Sequence, residues 1–310
     1  ALRIGSVSEG SRFEPVSREA ALVANNLLLT VILVIVLAGT LYPLALEGIN
    51  GAKISVGAPY FNSTAGPLAL ALMVIMAAGP LMRWRSDKPK LVLSRMALAL
   101  LAGGAALTLL LASGSIGALP LLGLAVAAVV AVGSVAPLWK RKLIRTPLFT
   151  YGMVIAHLGC AVSIAGMASD SAFTQENMAA MAQGETKPIG PFAVTFAGLQ
   201  EAEGANYAAL QGLVLVTKGA GKPFVMVPEL RQFSDPPMLT NQAAIQTFWN
   251  GQLYITIGEK AVGNRWLVRM WWKPFVTLIW LGGVMIAAGG MLSLLGRVRR
   301  DLTGKKAAAT

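Results

Sequence analysis

The chain has 310 residues, 55% of them hydrophobic and only 13% charged, with a mean hydropathy of +0.63. Soluble domains carry about 25% charged residues, so this composition excludes a soluble globular protein and defines an integral membrane one. The net charge of +12 is explained by topology and leaves no basic surface for nucleic acid.

Five long charge-free runs stand out: Ala20–Leu46, Ser63–Met82, Met96–Trp139, Thr146–Ser169 and Pro274–Gly296. A spanning helix needs about 20 apolar residues. The third run is broken by Ser113-Gly114-Ser115-Ile116-Gly117 and then Pro120, which is turn chemistry. Six spans follow, over roughly 20–46, 64–82, 93–113, 117–138, 147–168 and 274–296. If the first span starts inside, the inside segments hold 17 of the 26 Lys and Arg and 5 of the 14 Asp and Glu. The outside segments then hold nine of each and are neutral. All the net charge lies on one side, as the positive-inside rule requires.

Residues 1–19 read as a cytoplasmic segment. They are polar, lead straight into a span and carry no signal-peptide pattern, so the chain reads as the C-terminal part of something longer. Residues 20–169 form a five-span membrane domain that opens on Asn25-Asn26. These two amides are unusual inside a span, and interhelical hydrogen bonding is the simplest reading of them. The outer loop after the first span carries Gly57-Ala58-Pro59-Tyr60-Phe61-Asn62. Its adjacent aromatics either contact a planar ligand or partner, or merely seat the loop at the interface.

His157 is the one histidine of the chain, and it lies within the 24 charge-free residues Thr146–Ser169. An ionisable side chain at that depth is costly and marks a functional site by default. Imidazole is also a common ligand for metals and haem iron. On a helical wheel Gly152, Ala156, Gly159, Ser163 and Gly166 form one stripe, which lets another helix approach closely. His157 points about 140° away from that stripe, so it must meet a second helix group, a cavity or a cofactor. A packing histidine bonded to a neighbouring carbonyl is the other reading. Cys160 is the single cysteine, so an intrachain disulfide and a Cys₂-type metal site are excluded.

Residues 170–271 read as a β-rich extracytoplasmic domain of five or six strands, in a small sandwich or open barrel. Leu213–Lys218 and Lys222–Glu229 flank Gly219-Ala220-Gly221 as a hairpin, and Gln252–Glu259 pairs with Arg265–Trp271 as a second. Pro191–Leu199 is a further strand. Trp271-Trp272-Lys273 reads as an interfacial anchor. The sixth span occupies 272–297, and 298–310 form a cytoplasmic tail whose end reads as disordered. The fold class is therefore a polytopic α-helical membrane protein with a small β-rich domain between spans five and six.

Several ordered motifs carry a resemblance. They are Ser17-Arg18-Glu19 with Asn25-Asn26-Leu27-Leu28-Leu29, Gly39-Thr40-Leu41-Tyr42-Pro43, and Ile54-Ser55-Val56 running into Gly57–Asn62. Tyr151-Gly152-Met153 before His157-Leu158-Gly159, Lys273-Pro274-Phe275-Val276, and the pairs Gly282-Gly283 and Gly289-Gly290 complete the set. Together, and over nearly the whole chain, they resemble the C-terminal half of the CcmF/NrfE family, haem lyase subunits of bacterial cytochrome c maturation. The resemblance implies a thioether-forming haem lyase subunit in the bacterial inner membrane, multi-pass, with cytoplasmic termini and a periplasmic soluble domain. It implies that His157 is an axial ligand of a transient b-type haem received at the periplasmic face, with the second ligand outside this chain. It also implies haem or partner contacts at Gly57, Pro59, Tyr60, Phe61 and Asn62, and it names no catalytic residue. The implied partners are the N-terminal half or a separate subunit, a CcmE-type haem chaperone, a CcmH-type thiol subunit, apocytochrome c and membrane lipid. The competing classes are half of a transporter or permease, and a non-catalytic scaffold that docks apocytochrome or partner subunits.

Overall fold

The computed structural model describes residues 14–114, 116–139 and 141–307, with side chains to residue 300. It divides into two compact units. One holds the residues up to Ala168 and from Ile279 on, and the other is Ser169–Leu278.

The helical unit is built from α1 (Arg18–Asn50), α2 (Ala58–Ala78), α3 (Pro89–Ser113), α4 (Ala118–Val135), α5 (Leu148–Phe173) and α6 (Thr277–Ala307). These are the six described helices long and apolar enough to cross a membrane. Ser17 caps α1, its Oγ accepting from Ala20 N at 3.1 Å. Gly51 closes the helix at φ 71°, its N–H bonding Glu47 O. Those caps carry α1 past the expected 20–46 to 33 residues, about 50 Å. The other elements show why exposed leucines are at home here. Gly39 is the one buried residue within α1, while Leu27, Leu33 and Leu44 are each more than 60% exposed. Such a surface suits lipid and would aggregate in water.

Two stretches differ from expectation. The outer loop is shorter than its composition suggests, because Pro59 sits in the first turn of α2, where its missing N–H costs nothing. Tyr60 and Phe61 therefore lie on the helix. Their rings meet edge to face at 5.1 Å and pack on α1 at Gly39, and Tyr60 Oη donates to Ile35 O at 3.3 Å. At the far end of the chain α6 continues through Ala307, so most of the expected tail is helical; residues 308–310 and 1–13 lie outside the described residues.

The connection from α2 to α3 is a buried polar knot. The Asp87 side chain is 1% exposed and accepts from Arg83 N, Lys88 N and Arg95 Nη1 at 2.9, 2.9 and 2.7 Å. The Arg95 hydrogen bond, helped by the two backbone amides, lowers its pKa to about 2. The same loop binds the entry to α1: Glu14 N bonds Arg85 O, Asp87 N bonds Val16 O, and Arg18 N bonds Arg83 O. Above the knot, Ala77, Val92, Met96, Ala99, Val129, Val130 and Ala161 form the buried centre.

The α5–α6 contact is a seam of small residues. A β-carbon on Gly159 would stand 2.7 Å from Gly282 O and Ile286 N, and one on Gly152 would stand 2.5 Å from Gly289 O. Ser163 Oγ donates across the seam to Ile279 O at 3.3 Å. Backbones this close gain dispersion where no hydrophobic effect acts between helices.

The strand unit contains two antiparallel sheets, β1–β10–β9–β8 and β2–β3–β4–β6–β7, with β5 also on β4. The strands are β1 (Gln175–Met181), β2 (Thr186–Ile189), β3 (Phe192–Glu203), β4 (Tyr207–Lys218), β5 (Phe224–Met226), β6 (Glu229–Ser234), β7 (Pro237–Gln242), β8 (Ala244–Phe248), β9 (Gly251–Ala261) and β10 (Arg265–Pro274). The expected hairpins are β4–β5 and β9–β10. Gly219 at φ 53°, and Gly263 with Asn264 at 74° and 57°, take the left-handed conformations those turns need. Val194, Phe196 and Val216 from one sheet meet Leu253, Ile255, Val268 and Met270 from the other. Ten strands replace the five or six expected. Trp272 corrects another expectation. It is 5% exposed and stacks with Phe192 at 5.1 Å and Phe248 at 6.1 Å, inside the sandwich core. Trp271 lies on the opposite face of β10, with Arg269 over its ring at 4.5 Å.

Candidate functional site

The face of α5 left free by the seam holds the candidate site. Its seam face is occupied by α6, and Ala161, one turn beyond His157, joins the buried centre. Met153 and His157, one turn apart, instead line a cavity of about 230 Å³. Its second wall is α1, through Arg18, Ala21, Leu22 and Asn25. The spacings of three and four put these on one helix face. Ile75 and Met76 of α2, with Gly79 and Pro80 of the 3₁₀ turn after it, form the third wall.

The cavity is chemically uneven. Leu22, Ile75, Met76 and Met153 make it apolar, while Arg18, Asn25 and His157 bring three polar side chains. None of those three side chains has a hydrogen bond or ion pair within the described residues; Arg18 has only the Trp84 ring, 4.9 Å from its Cζ. Polar groups among apolar helices normally find partners. Together the three would offer a bound group one cation, one amide and one imidazole.

The cavity has a definite place along the helices. It lies where α1 begins and α2 ends, beside the basic loop Arg83–Lys88. Gly57, Pro59, Tyr60, Phe61 and Asn62 stand at the opposite end of α2, about 30 Å along the helix. The two candidate sites are therefore not brought together. Gly57, Pro59 and Asn62 are exposed, and Tyr60 and Phe61 are engaged with α1.

The residues fit one side of a metalloporphyrin. His157 supplies an imidazole with no hydrogen bond among the described residues, and the apolar walls suit a macrocycle face. No group of three His, Cys, Asp or Glu among the described residues could hold a bare metal ion. A volume of about 230 Å³ is below the ~300–1,000 Å³ of most ligand pockets, so these walls enclose only part of such a group. The sequence singles out His157 and reads Asn25 as an interhelical hydrogen-bonding amide, whereas its side chain makes no hydrogen bond among the described residues. Arg18 was missed; its spacing of seven from Asn25 was the available signal.

Fold and site together define a polytopic membrane protein with a β-sandwich inserted before its last span and an imidazole-lined intramembrane cavity. Residues 172–274 match the family model described as the CcmF C-terminal β-sandwich. The chain is 36% identical over 315 residues to the cytochrome c-type biogenesis protein CycK of Rhizobium meliloti strain 1021, covering 96% of this chain and 46% of that protein. It is 34% identical over 298 residues to the cytochrome c-type biogenesis protein CcmF of Escherichia coli K12, covering 94% and 46%. A solved structure titled Cytochrome c Heme Lyase CcmF shares the fold, with a TM-score of 0.74 at 22% identity over 91% of this chain and 46% of that one. The chain belongs to the CcmF/CycK/NrfE family of cytochrome c-type biogenesis proteins. It spans about half the length of the curated relatives it matches.

Proposed function

We propose that this chain is the C-terminal half of a haem lyase of cytochrome c biogenesis, and that His157 is one axial ligand of a noncovalently held, b-type haem. The observation that carries the reading is the cavity shared by His157, Asn25 and Arg18, three polar side chains with no hydrogen bond or ion pair among the described residues. Haem bound there would be held at its iron by His157, while Leu22, Ile75 and Met76 would line it and exclude water. A second iron ligand would come from the remainder of the protein or a separate subunit.

With the basic loops inside, the chain is a multi-pass inner-membrane protein with its β-sandwich in the periplasm. The cavity then lies toward the inner face. His157 holds haem within the membrane, and thioether attachment to apocytochrome c takes place at the outer face, on other parts of the full protein. A CcmE-type chaperone, a CcmH-type thiol subunit and apocytochrome c are its partners there. The exposed residues Gly57, Pro59 and Asn62, with Tyr60 and Phe61 behind them, belong to that outer end and serve haem or partner contact.

The test is His157→Ala in the full-length protein. The Soret absorption of the purified protein is expected to disappear and covalent cytochrome c to be lost, with the protein still in the membrane. Normal cytochrome c in that strain, with an unchanged Soret band, would overturn the reading.

A further inference from the structure

We propose that Arg18 is the counter-ion for a carboxylate of the group bound at His157, so that α1 sets the orientation of that group. The inference rests on the reading of His157 as a haem ligand. Arg18 lines the cavity from the first turn of α1, on the same face as Leu22 and Asn25. The described acidic groups of the adjoining segments bond elsewhere. Glu14 Oε2 accepts from Ser86 Oγ, Glu19 Oε2 accepts from Arg85 N, and Asp87 is held by Arg95. The cation is thus left without a carboxylate among the described residues, although three stand nearby in sequence or across the loop.

Its geometry suits a ligand. The guanidinium lies over Trp84 at 4.9 Å, and stacking on an aromatic face leaves the N–H edge of the fork free to meet a carboxylate. A planar macrocycle with two carboxylates at one edge would match this lining, with His157 at its metal, Leu22, Ile75 and Met76 against its apolar surface, and the carboxylate edge toward Arg18. The positive end of the α1 dipole adds to the attraction at that edge.

The experiment uses the full-length protein stripped of haem and titrated with ferric haem or with its dimethyl ester, followed by absorption. Wild type is expected to bind the free acid about tenfold or more tightly than the ester, the scale of one charge-assisted pair. Arg18→Gln is expected to bind both with the ester's affinity, and Arg18→Lys, which keeps the charge but not the fork, to fall between. A wild-type preference for the acid retained in Arg18→Gln overturns the assignment of Arg18, and so does equal binding of acid and ester by wild type. Binding that survives His157→Ala overturns the underlying reading instead. If Arg18→Gln does not accumulate, Arg18→Lys decides the matter: an undiminished acid preference there refutes the fork.

Discussion

The tandem glycines of α6 give the sharpest test of the α5–α6 seam, because each pair has one member in the seam and one outside it. A β-carbon on Gly282 would stand 2.5 Å from Gly159 O, and one on Gly289 would stand 2.6 Å from Gly152 O. Gly283 and Gly290 have nothing within 4 Å. Ordinary contact starts at 3.4 Å, so an alanine at either seam position forces the backbones apart by close to 1 Å. Backbone cannot rotate away as a side chain can, and overpacking of this kind costs about 1–3 kcal/mol. Alanine on the open side incurs no such cost and gains about 0.5–1 kcal/mol from restricting the unfolded chain. Neighbouring residues of one helix should thus respond with opposite sign. Gly282→Ala and Gly289→Ala are expected to destabilise, while Gly283→Ala and Gly290→Ala leave stability unchanged or raise it. Reversible unfolding in mixed micelles, scored for each variant, measures the difference. Equal damage from Gly282→Ala and Gly283→Ala would refute the packing argument.

Acid should loosen the α2–α3 knot in a defined window. Asp87 is depressed to about 2, so its contribution is fully present above the unfolded carboxylate value of about 3.9 and is lost as pH falls toward 2. Protease sensitivity of the 83–88 loop should rise across that range in wild type, and Asp87→Asn should be sensitive already at neutral pH. In the strand unit, Trp272→Ala removes the ring at the centre of the Phe192–Phe248 cluster and should cost about 3–5 kcal/mol. Trp271→Ala, on the outer face, should cost much less. Near-ultraviolet dichroism during urea unfolding of the full chain distinguishes them, and equal losses would place the wrong tryptophan in the core.

The membrane architecture was legible because charge is expensive in lipid. Charge-free runs mark the spans, and the Ser113–Gly117 break separates α3 from α4 where a 44-residue run would otherwise hide it. The stripe from Gly152 to Ser163 was also legible, since close approach needs small residues whatever the partner. Strand number was not. β6, β7 and β8 are short, and β7 reads Pro-Met-Leu-Thr-Asn-Gln, with no buried residue. Such strands are held by their neighbours rather than by their own pattern. Trp272 was misread because an aromatic beside a span suits an interface and a core equally well. The candidate site was half legible. His157 announces itself by its cost, but Arg18 counts in the sequence as one more basic loop residue. Only the packing of α1 beside α5 turns it into part of a cavity.

One further consequence concerns the order in which the chain is made. The partner of α5 is α6, and the partner of β1 is β10, with Gln175 opposite Trp272. In both pairs the second member follows a long intervening stretch, residues 174–276 between the helices and 182–264 between the strands. At about 5–20 residues per second, α5 waits several seconds for its mate, with its glycine face toward lipid or toward an insertion machine. The first strand waits a comparable time for β10. Neither the helix pair nor the β1–β10 pair can close until its second member has been made, so a pause in synthesis midway leaves two unpaired edges at once.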